Sequence, residues 1–457
     1  MISRLRHPRV SHAHSGVLLV LLISALTVAA TLGAIALLAT GRLRLPDALL
    51  VAGAPWALMA AVIRPDWLLL ALIAMPASLT AVVRSNAMVI LVAVALMAML
   101  LTRRRFSLGM RTGLVALMLI NVAGLLFRAN VGLEALAVNG GTMHLLTYYI
   151  LLALLAFNLA RLGELAGDSV GVALVLAVFS TTLIGLAGYG GAWFESGPGI
   201  ITHTYIAPMA AAAFGTSLAW YLLARSDMSR LGSLAMSAAL LSLTVLSFSR
   251  ASWVAAGMTL ALLVNGLRGK AYVLVLTAFL VIVVLTPTVR QEISRTESGD
   301  VVAQVRSGEI TTGRWTLWGE LWIRAESALP WGNGFGYVWS LSSSELFGVE
   351  GLFESGESGV VPPHNDFMYL LVEFGIPGFL LLAFFWVQLF RAHSLLSKSR
   401  NPVLRRSAWV LLGVTVSGLI FALVDDLFAV RPVAERFFPI AGALFGLAQQ
   451  ERDGSIE

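Results

Sequence analysis

The chain has 457 residues, 58% hydrophobic and only 12% charged, with a mean hydropathy of +0.85; an average soluble chain carries roughly a quarter charged residues. It has no cysteine, which removes disulfides, zinc–thiolate sites, iron–sulfur clusters and thiol nucleophiles from consideration. The formal charge of +6 rests almost entirely on arginine, with lysine only at Lys270 and Lys398, and most of these arginines read as topology signals of a polytopic membrane protein.

In chain order, Arg4, Arg6 and Arg9 precede an apolar run from Val17 to Ala39. The run is long and further spans follow, so a retained signal anchor is expected rather than a cleaved peptide. Further apolar spans are predicted at roughly 47–63, 67–83, 87–101, 113–127, 143–160, 170–187, 204–224, 231–248, 252–266, 271–287, 367–390, 407–424 and 433–449. The expected fold is an all-α polytopic membrane protein of about twelve to fourteen transmembrane helices. It divides into N-terminal helices over 1–287, a long, partly helical loop over 288–366 and C-terminal helices over 367–457, together one integral membrane domain.

The basic clusters Arg103-Arg104-Arg105, Arg225/Arg230, Arg268/Lys270 and Arg391 through Arg406 all fall on the N-terminal side of the membrane in this scheme; only Arg42 and Arg44 run against it. Both termini are therefore expected in the cytoplasm and the 288–366 loop outside. That loop is far longer than an ordinary connection, which marks it as functional. No internal repeat and no inverted pair of broken helices is visible.

Three positions on the expected outer side stand out. Ser249-Arg250 lies at the end of the span beginning near Leu231; an arginine there either snorkels to the headgroups or holds an anionic partner. Arg314 opens the amphipathic stretch Arg314-Trp315-Thr316-Leu317-Trp318-Gly319-Glu320-Leu321-Trp322. On a helical wheel Arg314 falls with Trp318, Leu321 and Ala325, along the aromatic face expected to lie on the membrane interface. Glu320 and Arg324 form an i,i+4 pair elsewhere on the wheel. Arg314 is either a cation stacked on tryptophan or a bidentate partner for a lipid phosphate or diphosphate. The third position is His364-Asn365, followed nine residues later by Gly375-Ile376-Pro377-Gly378. Histidines exchange protons near neutral pH, so His364 reads either as a general base or as a loop histidine after Pro362-Pro363. Helical spacing puts His364, Met368, Leu371 and Gly375 on one face. The two glycines invite close approach of a neighbouring helix, and Pro377 can kink the span. Arg250, Arg314 and His364 on one side of the membrane form the candidate catalytic set.

These motifs resemble the O-antigen ligase and polymerase superfamily of bacterial envelope glycan assembly. The resemblance rests on His364-Asn365-x9-Gly375-Ile-Pro-Gly378, on Ser249-Arg250 closing a mid-chain helix, and on Arg314-Trp-Thr-Leu317 with Pro330-Trp-Gly332-Asn-Gly334-Phe-Gly336 in the long loop. It covers roughly residues 200–425. It implies a metal-independent inverting glycosyltransferase moving a glycan from undecaprenyl diphosphate to an acceptor hydroxyl at the periplasmic face of the inner membrane. The acceptor is lipid A-core for a ligase, or a second lipid-linked repeat for an O-antigen or exopolysaccharide polymerase. Arg250 and Arg314 would then stabilise the diphosphate leaving group and His364 would take the acceptor's proton, with Asn365 orienting either the imidazole or the donor and Ser249 kept as a substrate-binding candidate.

Asp425-Asp426, near Arg431, either bind sugar hydroxyls or pair with Arg431 or Arg250; pairing is the expected role, with Asp425 and Arg431 kept as substrate-binding candidates. His203, Glu195 and Arg128 are secondary candidates for the same cavity. The acids Glu345, Glu350, Glu354 and Glu357 lack ligand-like spacing, so no metal or cofactor is expected. Gly332-x-Gly334-x-Gly336 has no strand before it and does not read as a nucleotide site; no nucleic-acid partner is expected. The rival class is a lipid-linked glycan flippase or transporter, which should place charges at mid-membrane depth. A non-catalytic scaffold would leave the arginine–histidine set unexplained.

Overall fold

The computed structural model describes residues 64–75, 85–102, 148–189, 206–247, 249–267, 314–334, 337–338, 341, 364–425, 427 and 431–454. Among these residues are eleven α-helices and no strand: α1 (Pro65–Ala74), α2 (Ser85–Thr102), α3 (Tyr148–Arg161), α4 (Gly167–Tyr189), α5 (Ala207–Leu223), α6 (Asp227–Leu246), α7 (Arg250–Leu267), α8 (Arg314–Ala328), α9 (Asp366–Ser397), α10 (Pro402–Val424) and α11 (Arg431–Gly454). Four contain segments long and apolar enough to cross a membrane: Gly167–Ile184 of α4, α6, α9 and α10. The chain is an all-α polytopic membrane protein. The expected spans at 17–39, 47–63, 113–127 and 271–287, and most of the 288–366 loop, lie outside the described residues. Of the span expected at 67–83, the structure describes the part through Met75, and its helix ends at Ala74. Met75 leaves the helix with extended backbone (ψ 134°) because it precedes Pro76, whose ring disfavours helical geometry in the residue before it.

Small residues set the centre of the bundle. A Cβ on Gly215 of α5 would come within 2.6 Å of the Gly413 Cα of α10, and one on Gly413 within 2.8 Å of the Ala212 carbonyl. Only glycine allows this backbone contact, and in lipid such close approach is the main packing force between helices. One turn along, Thr216 Oγ1 donates to the Val410 carbonyl at 2.9 Å, so α5 and α10 run antiparallel. A Cβ on Gly171 of α4 would likewise meet Thr216 and Val410. Ser226 caps α6 by accepting from Ser229 N, and Ser237 Oγ donates to Ser217 Oγ at 2.9 Å, holding α6 back against α5. α7 turns back again to pack on α5 and α10. On the other flank, Gly442 and Gly446 of α11 lie against Ala153 and Phe157 of α3.

This up-and-down order gathers the start of α5, the α6–α7 turn, the start of α9 and the end of α10 at one end of the bundle. α10 has an uncharged run from 407 to 424, bounded by Arg406 and Asp425; α9 has one from 374 to 390, bounded by Glu373 and Arg391. Each is about 25–27 Å long at 1.5 Å per residue, close to the hydrocarbon thickness of a bilayer. Asp425 and the first turns of α9 therefore stand at the membrane rim.

A candidate active site at the rim of the bundle

The site is built on the C-terminus of α10, whose last carbonyls have no partner within the helix and carry the negative end of its dipole. Asp425 caps that end, its N–H donating to the Phe421 carbonyl at 2.7 Å, and its side chain is only 12% exposed. Three groups from outside the helix converge on it. Asn365 Nδ2 donates to the Leu423 carbonyl at 2.8 Å, Arg314 Nη1 donates to the Val424 carbonyl, and His364 Nδ1 lies 3.2 Å from Asp425 Oδ1. The other carboxylate oxygen, Oδ2, lies 3.9 Å from Arg314 Nη2. One carboxylate thus bridges the histidine and the arginine, which sequence spacing placed fifty residues apart.

Local sequence explains how α9 delivers its part. Asn365 is the N-cap, its Oδ1 accepting from Met368 N at 2.9 Å, as asparagine favours there. The residue before it, His364, has φ 49°, a left-handed conformation uncommon for a residue with a Cβ. Asp366, also buried, accepts from Leu427 N at 3.1 Å, which fixes the chain just past Asp425. Both ends of the α9–α10 contact are therefore hydrogen-bonded around the imidazole.

α8 delivers Arg314, and here the structure corrects an expectation. The stripe shared by Arg314, Leu321 and Ala325 does not face the membrane. Leu317, Leu321 and Ala325 are fully buried against Tyr369 and Val372 of α9 with Val338 and Leu341, and Trp318, Met368 and Leu371 pack alongside. Aliphatic side chains of that size let α8 sit closely on α9, and burial between two helices removes more of their surface than an interface would. The Glu320–Arg324 pair forms as expected, at 3.3 Å.

The glycine motif is also used differently. α9 is broken at Gly375, where φ is 64° and ψ −152°, and Pro377 follows. What comes close at Gly375 is not a helix but the turn after α8: a Cβ there would collide with the Pro330 carbonyl and Gly332 N. A ladder of backbone bonds seals the contact. Asn333 N donates to the Val372 carbonyl at 2.8 Å, Gly334 N to the Glu373 carbonyl at 2.8 Å and Ile376 N to the Pro330 carbonyl at 3.0 Å. Asn333 Nδ2 also donates to the Arg324 and Val372 carbonyls, and Glu373, fully buried, accepts from Val338 N at 3.2 Å. Gly332 and Gly334 sit at φ 79° and 93°, the reason for their spacing. This latch fixes α8, and so Arg314, to α9.

Arg250 opens α7 and is half-buried, while Ser249 is buried with its hydroxyl accepting from Ser252 Oγ at 3.0 Å. The helix order carries both to the end of the bundle that holds Asp425. Ser249 thus has a helix-starting role of its own. Arg431 begins α11; its side chain, Asp426, and the secondary candidates His203, Glu195 and Arg128 lie outside the described residues. Sequence reasoning named Asp425 but gave it Arg431 or Arg250 as partners, and it missed His364 and Arg314 in that role. It missed Asn333 and Glu373 altogether, although a carboxylate inside an apolar helix is a signal in itself. Among the described residues no three His, Asp or Glu side chains cluster as a metal site would require.

No curated protein matches the chain. Residues 234–383 match the family model described as O-antigen ligase. That segment runs from within α6 to within α9 and contains Arg250, Arg314, the latch and the His364–Asn365 cap. This match, over residues 234–383 of the chain's 457, supports the resemblance to the O-antigen ligase and polymerase superfamily and, with it, an O-antigen ligase/polymerase-type glycosyltransferase.

Proposed function

We propose that the chain is a metal-independent, inverting O-antigen ligase that moves a glycan from undecaprenyl diphosphate to a hydroxyl of lipid A-core at the periplasmic face of the bacterial inner membrane. The observation that carries the reading is the 3.2 Å approach of His364 Nδ1 to Asp425 Oδ1. With Nδ1–H donating a hydrogen bond to the carboxylate, Nε2 is left as the acceptor, and the carboxylate stabilises the imidazolium that forms. The acceptor hydroxyl attacks the anomeric carbon as its proton passes to Nε2. The bond from that carbon to the diphosphate oxygen breaks, and the electron pair leaves on the diphosphate. Direct attack inverts the anomeric configuration.

The leaving group gains charge as that bond breaks, and preorganised cations lower the barrier most when they are already in place. Arg314 is held by the Val424 carbonyl and by the latch. Its geometry with Asp425 is a loose 3.9 Å, which leaves guanidinium donors for a phosphate. Arg250 supplies the second cation from the start of α7. Asn365 acts by holding the first turn of α9 to α10, which orients the imidazole.

The test uses purified protein, an undecaprenyl diphosphate-linked glycan and excess EDTA, with lipid A-core and a second lipid-linked repeat offered in parallel. Glycan on lipid A-core is the expected product. A ladder on the lipid carrier would make the protein a polymerase instead. No product on either acceptor from folded protein would overturn the transferase reading in favour of a transporter.

A further inference from the structure

α8 has three faces. One is buried on α9, and a second carries Glu320, Arg324 and Ser327. The third is uncovered and dominated by large apolar side chains: Trp322 is 49% exposed and Leu329, seven residues on, is 39% exposed, with Trp331 at 72% just beyond the helix and Glu326 as the one exposed charge between them. Tryptophan joins a large apolar ring to one polar N–H and is enriched where one side is apolar and the other wet, so this face fits such a boundary.

The latch fixes the level at which that face sits. The Pro330 carbonyl and Asn333 N bond to Ile376 N and the Val372 carbonyl, which places Trp331 beside the point where Glu373 gives way to the uncharged run of α9. From that point Ile376, Leu380, Phe384 and Val387 form an outward stripe at helical spacing, each more than 40% exposed. On a membrane-spanning helix such a stripe faces lipid. Trp331, Leu329 and Trp322 continue it past the hydrocarbon edge, into the zone where tryptophan is enriched and amphipathic helices lie flat.

We propose that α8 and the turn after it are an interfacial element, seated on the headgroup–acyl boundary of the bilayer through Trp322, Leu329 and Trp331. The polar face, with Glu320, Arg324 and Ser327, turns to water. A helix is only about 10–12 Å across with its side chains, so Arg314 stands within one helix width of lipid. On the transferase reading a lipid-carried diphosphate would meet it without leaving the membrane. The seating itself does not depend on that reading.

The chain has no cysteine, so each introduced cysteine carries a unique spin label. Full-length W322C, L329C, W331C and S327C would be labelled with a nitroxide, reconstituted in lipid nanodiscs, and tested for collision with oxygen and with a water-soluble nickel chelate. V387C, on the α9 stripe, reports correct insertion, and L329C removes no indole. The expected result is an oxygen-to-nickel ratio at positions 322, 329 and 331 several-fold above that at 327 and below that at 387. Equal, nickel-dominated accessibility at all four α8 positions would put the helix in water and overturn the proposal. Labels at 322, 329 and 331 shielded from both reagents would mean that a second copy or another protein covers the face, which overturns it equally. Because depth and turnover are read separately, loss of glycan transfer leaves this result standing, and the reverse.

Discussion

Two aspartates each tie helices together at opposite ends of the bundle, and they do so in contrasting ways. Asp168, at the start of α4, accepts from Trp220 Nε1 and Arg406 Nε, both at 2.7 Å. Beside it Ser399 Oγ donates to Glu451 at 2.7 Å and Arg161 pairs with Asp453 at 3.2 Å. Asp425, at the other end, meets a histidine at 3.2 Å and an arginine at 3.9 Å, from a more buried position. Asp168 itself is stapled by short bonds to an indole and a guanidinium. Asp425 meets an imidazole and a guanidinium at longer range, 3.2 and 3.9 Å, which leaves ring and guanidinium groups to act on something else. The difference separates a carboxylate that joins helices from one that tunes a site.

Removing the tuned partners should have the largest effect. His364→Ala and Arg314→Ala are expected to abolish detectable transfer, losses of roughly 10²–10⁴-fold for a general base and about 10²–10³-fold for a charge-stabilising donor. Neither should change membrane insertion, because the helices that carry them are held by the latch and by the Asn365 cap. Glycan transfer per mole of folded protein is the measurement; near-normal turnover in either variant would remove that residue from the chemistry. Asp425→Asn is the direct assault on the comparison. The amide keeps the shape but withdraws the charge from His364 and Arg314, and kcat should fall about 10²–10⁴-fold, by analogy with a buried aspartate behind a catalytic histidine. An unchanged kcat with a lowered melting temperature would make Asp425 a staple like Asp168.

Next in size is Gly375→Ala. A Cβ at φ 64° strains the backbone by about 1–3 kcal/mol and strikes the Pro330 carbonyl, so the latch must open. Transfer should drop by tenfold or more through misplaced Arg314, while the α5–α10 core, closed by Gly215 and Gly413, keeps its melting temperature within a few degrees. Equal losses in both readouts would show that α8 is part of the stability core rather than a separately docked arm.

What could be read in advance follows the same division. Spans such as 407–424 and 367–390 were legible because long apolar runs, the first uncharged and the second broken only by Glu373 near its start, are a local property of the sequence, and α10 and α9 contain them. The candidate residues Arg250, Arg314 and His364 were legible as polar exceptions at the ends of apolar runs, and the helix order does gather them at one end. The partner of Asp425 was not, because it depends on the distance between α9 and α10 across the bundle, which no spacing along the chain encodes. The orientation of α8 failed for a related reason. Its wheel has two apolar faces, Leu317-Leu321-Ala325 and Trp322-Leu329, and only the break at Gly375 decides which one meets protein. Receiving carbonyls such as Leu423 and Val424 leave no trace in side-chain identity at all.

The smallest effect should come from the other aspartate, and it is the control on which the comparison turns. Asp168→Asn keeps an oxygen for Trp220 Nε1 and removes only the charge facing Arg406. Those two side chains are 38% and 43% exposed, and ion pairs that open to solvent contribute about 0–1 kcal/mol. Thermal unfolding should therefore move by a few degrees at most. Transfer should stay at the native level, because no bond from Asp168 reaches α8 or the start of α9. A loss of transfer comparable to that of Asp425→Asn would mean that tension at one end of α10 is felt along its length at the other, and Asp425 would then owe its role to the rigidity of that helix rather than to the charge it carries.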